Sequence, residues 1–333
     1  MKPLLKLRTL TLSLSLLVTS ASSFAMDKVT FQLDWLPGGD KAPVYVGVEQ
    51  GFFAEQDLDV TILQGKGSTD AITKVATGIA DLGSSDIVAL LVAKANDNVP
   101  VKGVYSIFSK APYAFYALSG SGIDSVDDVS GKTIVTSPFT SANVFLPLLL
   151  KKNGVDENSV KVLKADPGAL NPMLITGQSD VMISWITDAV KNQQQAKQAG
   201  KKIDIFPWYD AGLEFYSSSV IASDRMMAER PDVVKRFLKA FDKAVAYTWE
   251  NPEKSAQAVH DVVPEVDTQQ AADTIKSIRD LVINEVSERD GIGAFTPVRL
   301  AETWKWTAEA QDIELEKLNP ENAISREFFQ GVN

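Results

Sequence analysis

The chain of 333 residues contains no cysteine and a single histidine, His260. The first absence excludes a thiol nucleophile, disulfides and any Cys-ligated metal. The second leaves a Ser-His-Asp triad one residue to draw on, and no GxSxG-type elbow presents a serine. It also denies a His-based metal site a second imidazole at ligand spacing. His260 itself, within EKSAQAVHDVVPEV, reads as a helix-surface residue. Beyond residue 25 no stretch approaches the ~20 apolar residues of a membrane helix. A GxxxxGK[ST] phosphate loop is missing, as are low-complexity tracts and short-period repeats. Basic excess is missing too: the net charge is −10, which suits neither DNA nor RNA, whose phosphates need a basic surface. Neither a metal nor a cofactor is expected, and the composition leans toward binding rather than catalysis.

What is present begins with a leader. Lys2, Lys6 and Arg8 precede the apolar run TLTLSLSLLVTSA, and Ser23 and Ala25 are small residues suited to a cut after Ala25. That pattern reads as a secretory signal peptide over residues 1–25. The remainder is long enough for two domains. It alternates strand and helix patterns, VTFQLDW, PVYVGVEQGFFAEQ, LDVTILQ, GKGSTDAITKVATG and onward, which implies parallel sheets covered by helices on both faces. Near Ala111 the rhythm is broken by the extended aromatic segment APYAFYALSGSGI, and a second α/β series runs from about Tyr113 to Phe215. FYSSSVIAS is again extended, and the rest is mostly helical. The expected organisation is one domain inserted in another: residues 26–112 and 217–333 form the first lobe, residues 113–216 the second, with two extended crossings as a hinge. Two sequential domains divided near residue 215 are the alternative.

In open α/β sheets ligands sit outside the carboxyl ends of the strands, so the loops there hold the candidates. The first, DWLPGGDK, offers Asp34, Trp35 and Lys41, with Tyr45 just beyond. The second, GKGSTD, puts Ser68 and Thr69 at a helix start, where free N–H groups favour an anion or polar acceptor, or where the hydroxyls simply cap. SSD contributes Ser85, with Asp86 as an N-cap. SPFTSAN contributes Ser137 and Thr140, SWITD contributes Trp185 and Asp188, and PWYDAGLEFY contributes Trp208. Parallel-strand cores favour Val, Ile and Leu. Tryptophans at strand ends can instead wall a pocket and stack on a flat or cationic ligand.

These motifs carry a resemblance. LDWLP with Tyr45 downstream, VGVEQGFFAEQDLDVTI, GKGSTDAITKVATGIADLGSSD and DDVSGKTIVTSPFTSANVFLPLLLKKNGVD are similar to the periplasmic substrate-binding proteins of ATP-driven importers. The branch is that of the aliphatic sulfonate, nitrate and thiamine-pyrimidine precursor binders. The resemblance implies a type II periplasmic binding protein fold, two α/β lobes joined by two hinge crossings. It implies a monomer located in the periplasm that partners an ABC permease and its ATPase, and handles no nucleic acid. The LDW-x-P opening resembles the pyrimidine precursor binders and the related yeast pyrimidine synthase, in which a histidine follows the proline by four residues; here that residue is Lys41. An ammonium cannot act as a neutral imidazole acceptor, and the synthase's cysteine-rich iron motif has no counterpart. The expected ligand is therefore a small flat heterocycle of the thiamine-pyrimidine type. A small organic anion, sulfonate or carboxylate, paired with Lys41 is the alternative, and an exported carboxylate-based enzyme is a remoter one. Lys41 is open equally to a surface ion pair with Asp40 or Glu49.

Overall fold

A computed structural model describes residues 25–211, 213 and 215–329. The expected leader lies outside the described residues apart from Ala25. Among the described residues there are ten strands, most of them joined through helices: β1 (Asp27–Gln32), β2 (Leu58–Leu63), β3 (Leu82–Asp86), β4 (Val101–Ser106), β5 (Tyr113–Leu118), β6 (Thr133–Thr136), β7 (Lys161–Lys164), β8 (Val181–Trp185), β9 (Ile203–Pro207) and β10 (Ser218–Ser223). They form two five-stranded sheets, ordered β2-β1-β3-β10-β4 and β7-β6-β8-β5-β9. Each sheet is the centre of one lobe.

The sheets are mixed, and the reason lies in the crossings. A parallel neighbour requires a helix to carry the chain back, and β1, β2 and β3 are joined in that way. Among the described residues no α-helix intervenes between β4 and β5, or between β9 and β10, where a short 3-10 turn, Trp208–Ala211, is found instead. Each crossing therefore delivers a strand that runs against its new neighbours. Strand β5 pairs antiparallel with β8 and β9, Phe115 opposite Ile183, and β10 pairs antiparallel with β3 and β4, Ile221 opposite Gly83.

Helices cover both faces of both sheets. In the first lobe α1 (Ala42–Glu49), α8 (Pro231–Glu250), α9 (Pro252–Val262) and α10 (Thr268–Ser277) close one face, and α2 (Ser68–Ala76), α3 (Ile87–Asp97) and α13 (Pro297–Ala310) the other. Helix α8 buries Val233, Val234, Phe237, Leu238 and Phe241, the three-and-four spacing of an amphipathic helix. Its Phe237 stacks on Phe31 of β1 and on Phe53, at centroid distances of 5.4 and 4.8 Å. In the second lobe α4 (Ala142–Lys152) packs Phe145 and Leu149 on one face of the sheet, and α5 (Pro167–Ile175) and α6 (Ala189–Gln198) cover the other. Between β10 and α8 lies α7 (Asp224–Glu229), and α11 (Arg279–Val282) and α12 (Glu285–Asp290) link α10 to α13. Among the described residues no helix is long and apolar enough to cross a membrane.

The two crossings meet at one carboxylate. Asp86 ends β3 and caps α3, its Oδ1 accepting from the Val88 amide at 3.0 Å. Its Oδ2 accepts three hydroxyls: Tyr113 at 2.5 Å from the first crossing, Ser217 at 2.8 Å from the second, and Ser141 at 2.7 Å from the start of α4. Burial pushes the Asp86 carboxyl above its ordinary range, and the hydroxyls pull it back in part. Replacing the carboxylate strands three buried hydroxyls, each worth about 1 kcal/mol. Asp86→Ala is expected to lower stability by about 2–4 kcal/mol in urea unfolding; an unchanged midpoint and slope would show that the junction does not depend on it.

Candidate functional site

The loops at the carboxyl ends of β1, β2, β3, β6 and β8 converge between the lobes. The β1 loop cannot run straight into α1. Pro37, Gly38 and Gly39 turn the chain through a short 3-10 segment, Gly39–Lys41, and Gly39 lies so close to the Ala271 carbonyl that a Cβ there would sit 2.3 Å from its oxygen. This turn carries Lys41 inward. Its ammonium lies 2.7 Å from Asp34 and 2.9 Å from Asp40, with side chains 5, 2 and 8 % exposed respectively. The Asp34 carboxylate also accepts from Ser84 Oγ at 2.7 Å, and the Asp34 amide donates back to that hydroxyl. Burial alone would lower the Lys41 ammonium, but the two carboxylates outweigh it and hold the group well above the ordinary lysine range. Burial pushes Asp40 upward, offset in part by Lys41. The ion pair is thus with Asp34 and Asp40 and inside the cleft; Glu49 is exposed and takes no part.

Two tryptophans stand beside this cluster. The Lys41 ammonium lies 5.4 Å from the Trp185 ring centroid, within cation–π range. Trp35 reaches across the cleft and donates its indole N–H to Asp188 at 3.1 Å. Asp188 also accepts from Ser184 at 2.6 Å and pairs with Lys191 at 3.1 Å. The Trp35–Asp188 contact stands where three chambers meet. The inner one, walled by Asp34, Trp35, Asp40, Ser68, Thr140 and Trp185, has a volume of about 10 Å³, room for one water. An outer one of about 320 Å³ lies between the Leu36–Asp40 turn, Thr187, Lys191 and the segment joining α9 to α10. A third, of about 150 Å³, lies between Trp35, Leu36, α5 and α6.

A backbone seam closes the lobes on the opposite side. Ser137 Oγ donates to the Lys66 carbonyl at 2.9 Å, and the Thr69 amide and hydroxyl both donate to the Phe139 carbonyl at 3.2 Å. Gly67 permits it. With φ at +152° it sits in a region L side chains rarely adopt, and a Cβ there would lie 2.3 Å from the Phe139 carbonyl.

Asp34, Trp35, Ser68, Thr140 and Trp185 therefore share one cavity, and Asp188 joins through Trp35. Lys41 stands behind Asp34 and Asp40. Ser137 and Thr69 serve the seam rather than the cavity wall. Ser85 is fully buried, donating to the Ser68 carbonyl at 3.3 Å. Two of the expected residues lie elsewhere. Trp208 is 0 % exposed and packs edge-on against Phe115 and Tyr113 in the second-lobe core. Tyr45, on the inner face of α1, is buried in the first-lobe core. Asp40, Gly67, Ser184 and Thr187 line the cavity without having been singled out in the sequence. Asp40 was visible only as a neighbour of Lys41, and Gly67 only as one glycine of a loop.

Two tests follow from this geometry. Lys41→Gln leaves two buried carboxylates uncompensated, so urea unfolding should show a loss of about 3–5 kcal/mol; a loss under 1 kcal/mol would mean the pair is wet and weak. Gly67→Ala should prop the lobes apart, raising the radius of gyration in small-angle scattering while the circular dichroism of each lobe is retained. An unchanged radius would dismiss the seam as a closing contact.

Comparison with known proteins agrees with this architecture. The family model described as NMT1/THI5 like matches residues 39–255, and the chain belongs to that family. The formylaminopyrimidine-binding protein of Halalkalibacterium halodurans is 27% identical over 239 residues, covering 71% of each chain. The 4-amino-5-hydroxymethyl-2-methylpyrimidine phosphate synthase of Candida albicans is 27% identical over 239 residues, covering 69% of each. Among solved structures, the alkanesulfonate-binding protein SsuA of Xanthomonas axonopodis, bound to MOPS, matches with a TM-score of 0.71 at 14% identity, over 92% of this chain and 99% of that one. That last likeness is one of fold: the chain has the two-lobed α/β periplasmic binding protein fold.

Proposed function

We propose that this NMT1/THI5-like protein binds, and does not transform, a small flat nitrogen heterocycle of the aminopyrimidine type in the cleft between its lobes. The protein is read as the exported, periplasmic receptor of an ABC importer, handing its ligand to the permease and ATPase. The observation that carries the ligand class is the charge of the cleft. Asp34, Asp40 and Asp188 outnumber Lys41 and Lys191, and each ammonium is already engaged by carboxylate. A free cation for an anionic ligand is lacking among the residues that wall the three chambers. Two indoles and surplus carboxylates suit a flat ring with amino or ring N–H donors. This weighs against a sulfonate or carboxylate ligand, and the formylaminopyrimidine-binding relative supports the heterocycle.

The relatives named as pyrimidine phosphate synthases raise the enzymatic alternative. In the synthase pattern that the LDW-x-P opening resembles, a histidine follows the proline by four residues, where this chain has Lys41, and the synthase reacts a histidine of its own. The sole histidine, His260, lies on α9 with its ring nitrogen 2.8 Å from the Val266 carbonyl oxygen, and it walls none of the chambers. Surplus carboxylate without a positioned nucleophile or base partner favours capture over turnover.

Closure about the two crossings would fold the Thr140 and Trp185 side of the cleft over a ring resting on the first lobe, and the ligand must favour that state through contacts it makes only there. The mature protein should bind 4-amino-5-hydroxymethyl-2-methylpyrimidine or its formylamino analogue and release it unchanged. At 100 times its dissociation constant the ligand should add about 2.7 kcal/mol to unfolding. Trp35→Ala should weaken binding tenfold or more, and raising salt from low to high should change the affinity little. Preferential, salt-sensitive binding of an alkanesulfonate, or chemical conversion of the pyrimidine, would overturn the reading.

A further inference from the structure

We propose that helix α13 is a brace that holds the two lobes in their closed arrangement, acting from outside the cleft. It does so whatever the ligand, because α13 lines none of the three chambers. The device is written in the sequence of the helix, PVRLAETWKWTAEA. Leu300, Trp304 and Ala308 recur at four-residue spacing, and all three are buried in the first-lobe core beside Leu90, Leu91 and Ile221. That stripe roots the helix in the first lobe. Arg299, Thr303, Trp306 and Ala310, spaced four, three and four residues apart, form a second stripe on a neighbouring face. It meets other parts of the chain.

The second stripe grips the hinge and then leaves the first lobe. Arg299 donates its Nε to the Ser109 carbonyl of the first crossing at 3.1 Å, and its guanidinium lies 5.5 Å from the Tyr216 ring centroid of the second. One turn on, Thr303 Oγ1 accepts from the Tyr216 amide at 3.2 Å. Both crossings are thus fastened to α13 near their first-lobe ends, and Asp86 fastens the same two crossings through Tyr113 and Ser217. Further along the helix the contact passes to the second lobe. Ala310 is buried in the cluster that contains Phe145 and Leu149 of α4, and Trp306 packs against that cluster. The Lys152 ammonium, at the end of α4, stands 4.4 Å from the Trp306 ring centroid and 3.6 Å from Glu309. Gln311, the cap of α13, donates its Nε2 to the Val144 carbonyl at 2.7 Å.

Such a helix cannot follow both lobes when they part. Its buried stripe moves with the first lobe, so rotation of the second must slide α4 past Trp306 and Ala310 and break the Gln311–Val144 bond. That contact is made together with the bonds across the cleft, Ser137 to Lys66, Thr69 to Phe139 and Trp35 to Asp188. It therefore adds to the free energy that favours the closed state over the open one. Exposed ion pairs and cation–π contacts are individually weak. Weakness suits a hinge that has to open, because the brace biases the angle between the lobes without locking it.

Amide hydrogen exchange of the ligand-free chain, followed residue by residue by NMR, tests the brace. The Thr69 amide bonds to Phe139 across the seam, so its exchange reports parting of the lobes, whereas amides inside β1 and β3 report unfolding of the first lobe itself. In the double variant Trp306→Ala/Gln311→Ala the Thr69 amide should exchange about tenfold faster, while the β1 and β3 amides stay within about twofold of the native chain. Lys152→Ala loosens the contact from the second-lobe side and leaves the sequence of α13 intact. It should speed exchange at Thr69 about threefold, and it decides alone if the double variant does not fold. Unchanged exchange at Thr69 in the folded variants would overturn the brace. Slower exchange would overturn it too, since the contact would then oppose closure. Equal acceleration at Thr69 and within β1 would reduce α13 to ordinary packing and overturn it as well.

Discussion

The two lobes depend on the Asp86 carboxylate being where four segments can reach it. It is the last residue of a central strand, so its position is set by the sheet, and its Oδ1 is fixed by the helix it caps. The remaining oxygen has no solvent to turn to. Tyr113, Ser141 and Ser217 supply the hydration shell that burial removed, one from each crossing and one from the second lobe. A buried carboxylate with three hydroxyl donors is tolerable, while the same group with one would not be. The constraint runs both ways: the chain can cross between lobes only along paths that bring those hydroxyls to Asp86. The antiparallel strands β5 and β10 both begin beside this residue, which ties sheet topology to a single side chain.

The same rule governs the cleft. Lys41 is buried, and a buried ammonium needs partners. Asp34 and Asp40 are those partners, and Ser84 takes up part of Asp34's remaining capacity. The result is a fixed arrangement with one negative charge in surplus. Across the cleft Asp188 and Lys191 cancel each other and leave an oxygen for the Trp35 indole. The lysine of this loop is consumed in holding two acids inward, so its charge shapes the wall rather than standing free in the cleft.

Much of the architecture was legible in the chain. Strand and helix periods gave the layers, and the rule about carboxyl ends of strands pointed to loops that converge between the two sheets. The antiparallel strands were not legible, because they arise from crossings without an α-helix and not from any residue pattern. The tryptophans show the limit most clearly. Trp185 and Trp208 carry the same local signal, each at the end of a second-lobe strand. One faces the cleft and the other fills the core, since that depends on where β8 and β9 stand in the sheet. Tyr45 failed for a similar reason: four residues past Lys41 it lies one helical turn further along α1, on the face that meets the core. Asp86 was recognised as a cap, which it is, but three of its four partners are at least 27 residues away in sequence.

The Leu33–Lys41 loop, between β1 and α1, is bound by both constraints. Its proline and glycines are needed because the chain must pass within van der Waals contact of the Ala271 carbonyl and still carry Lys41 beneath Trp185. A side chain at Gly39 would displace the turn, and the ammonium would lose its carboxylates. Trp35 is free to reach Asp188 only because the turn after it folds back. The loop therefore does with one lobe what closure does with two: it brings a ring and an acid from separate places to one surface.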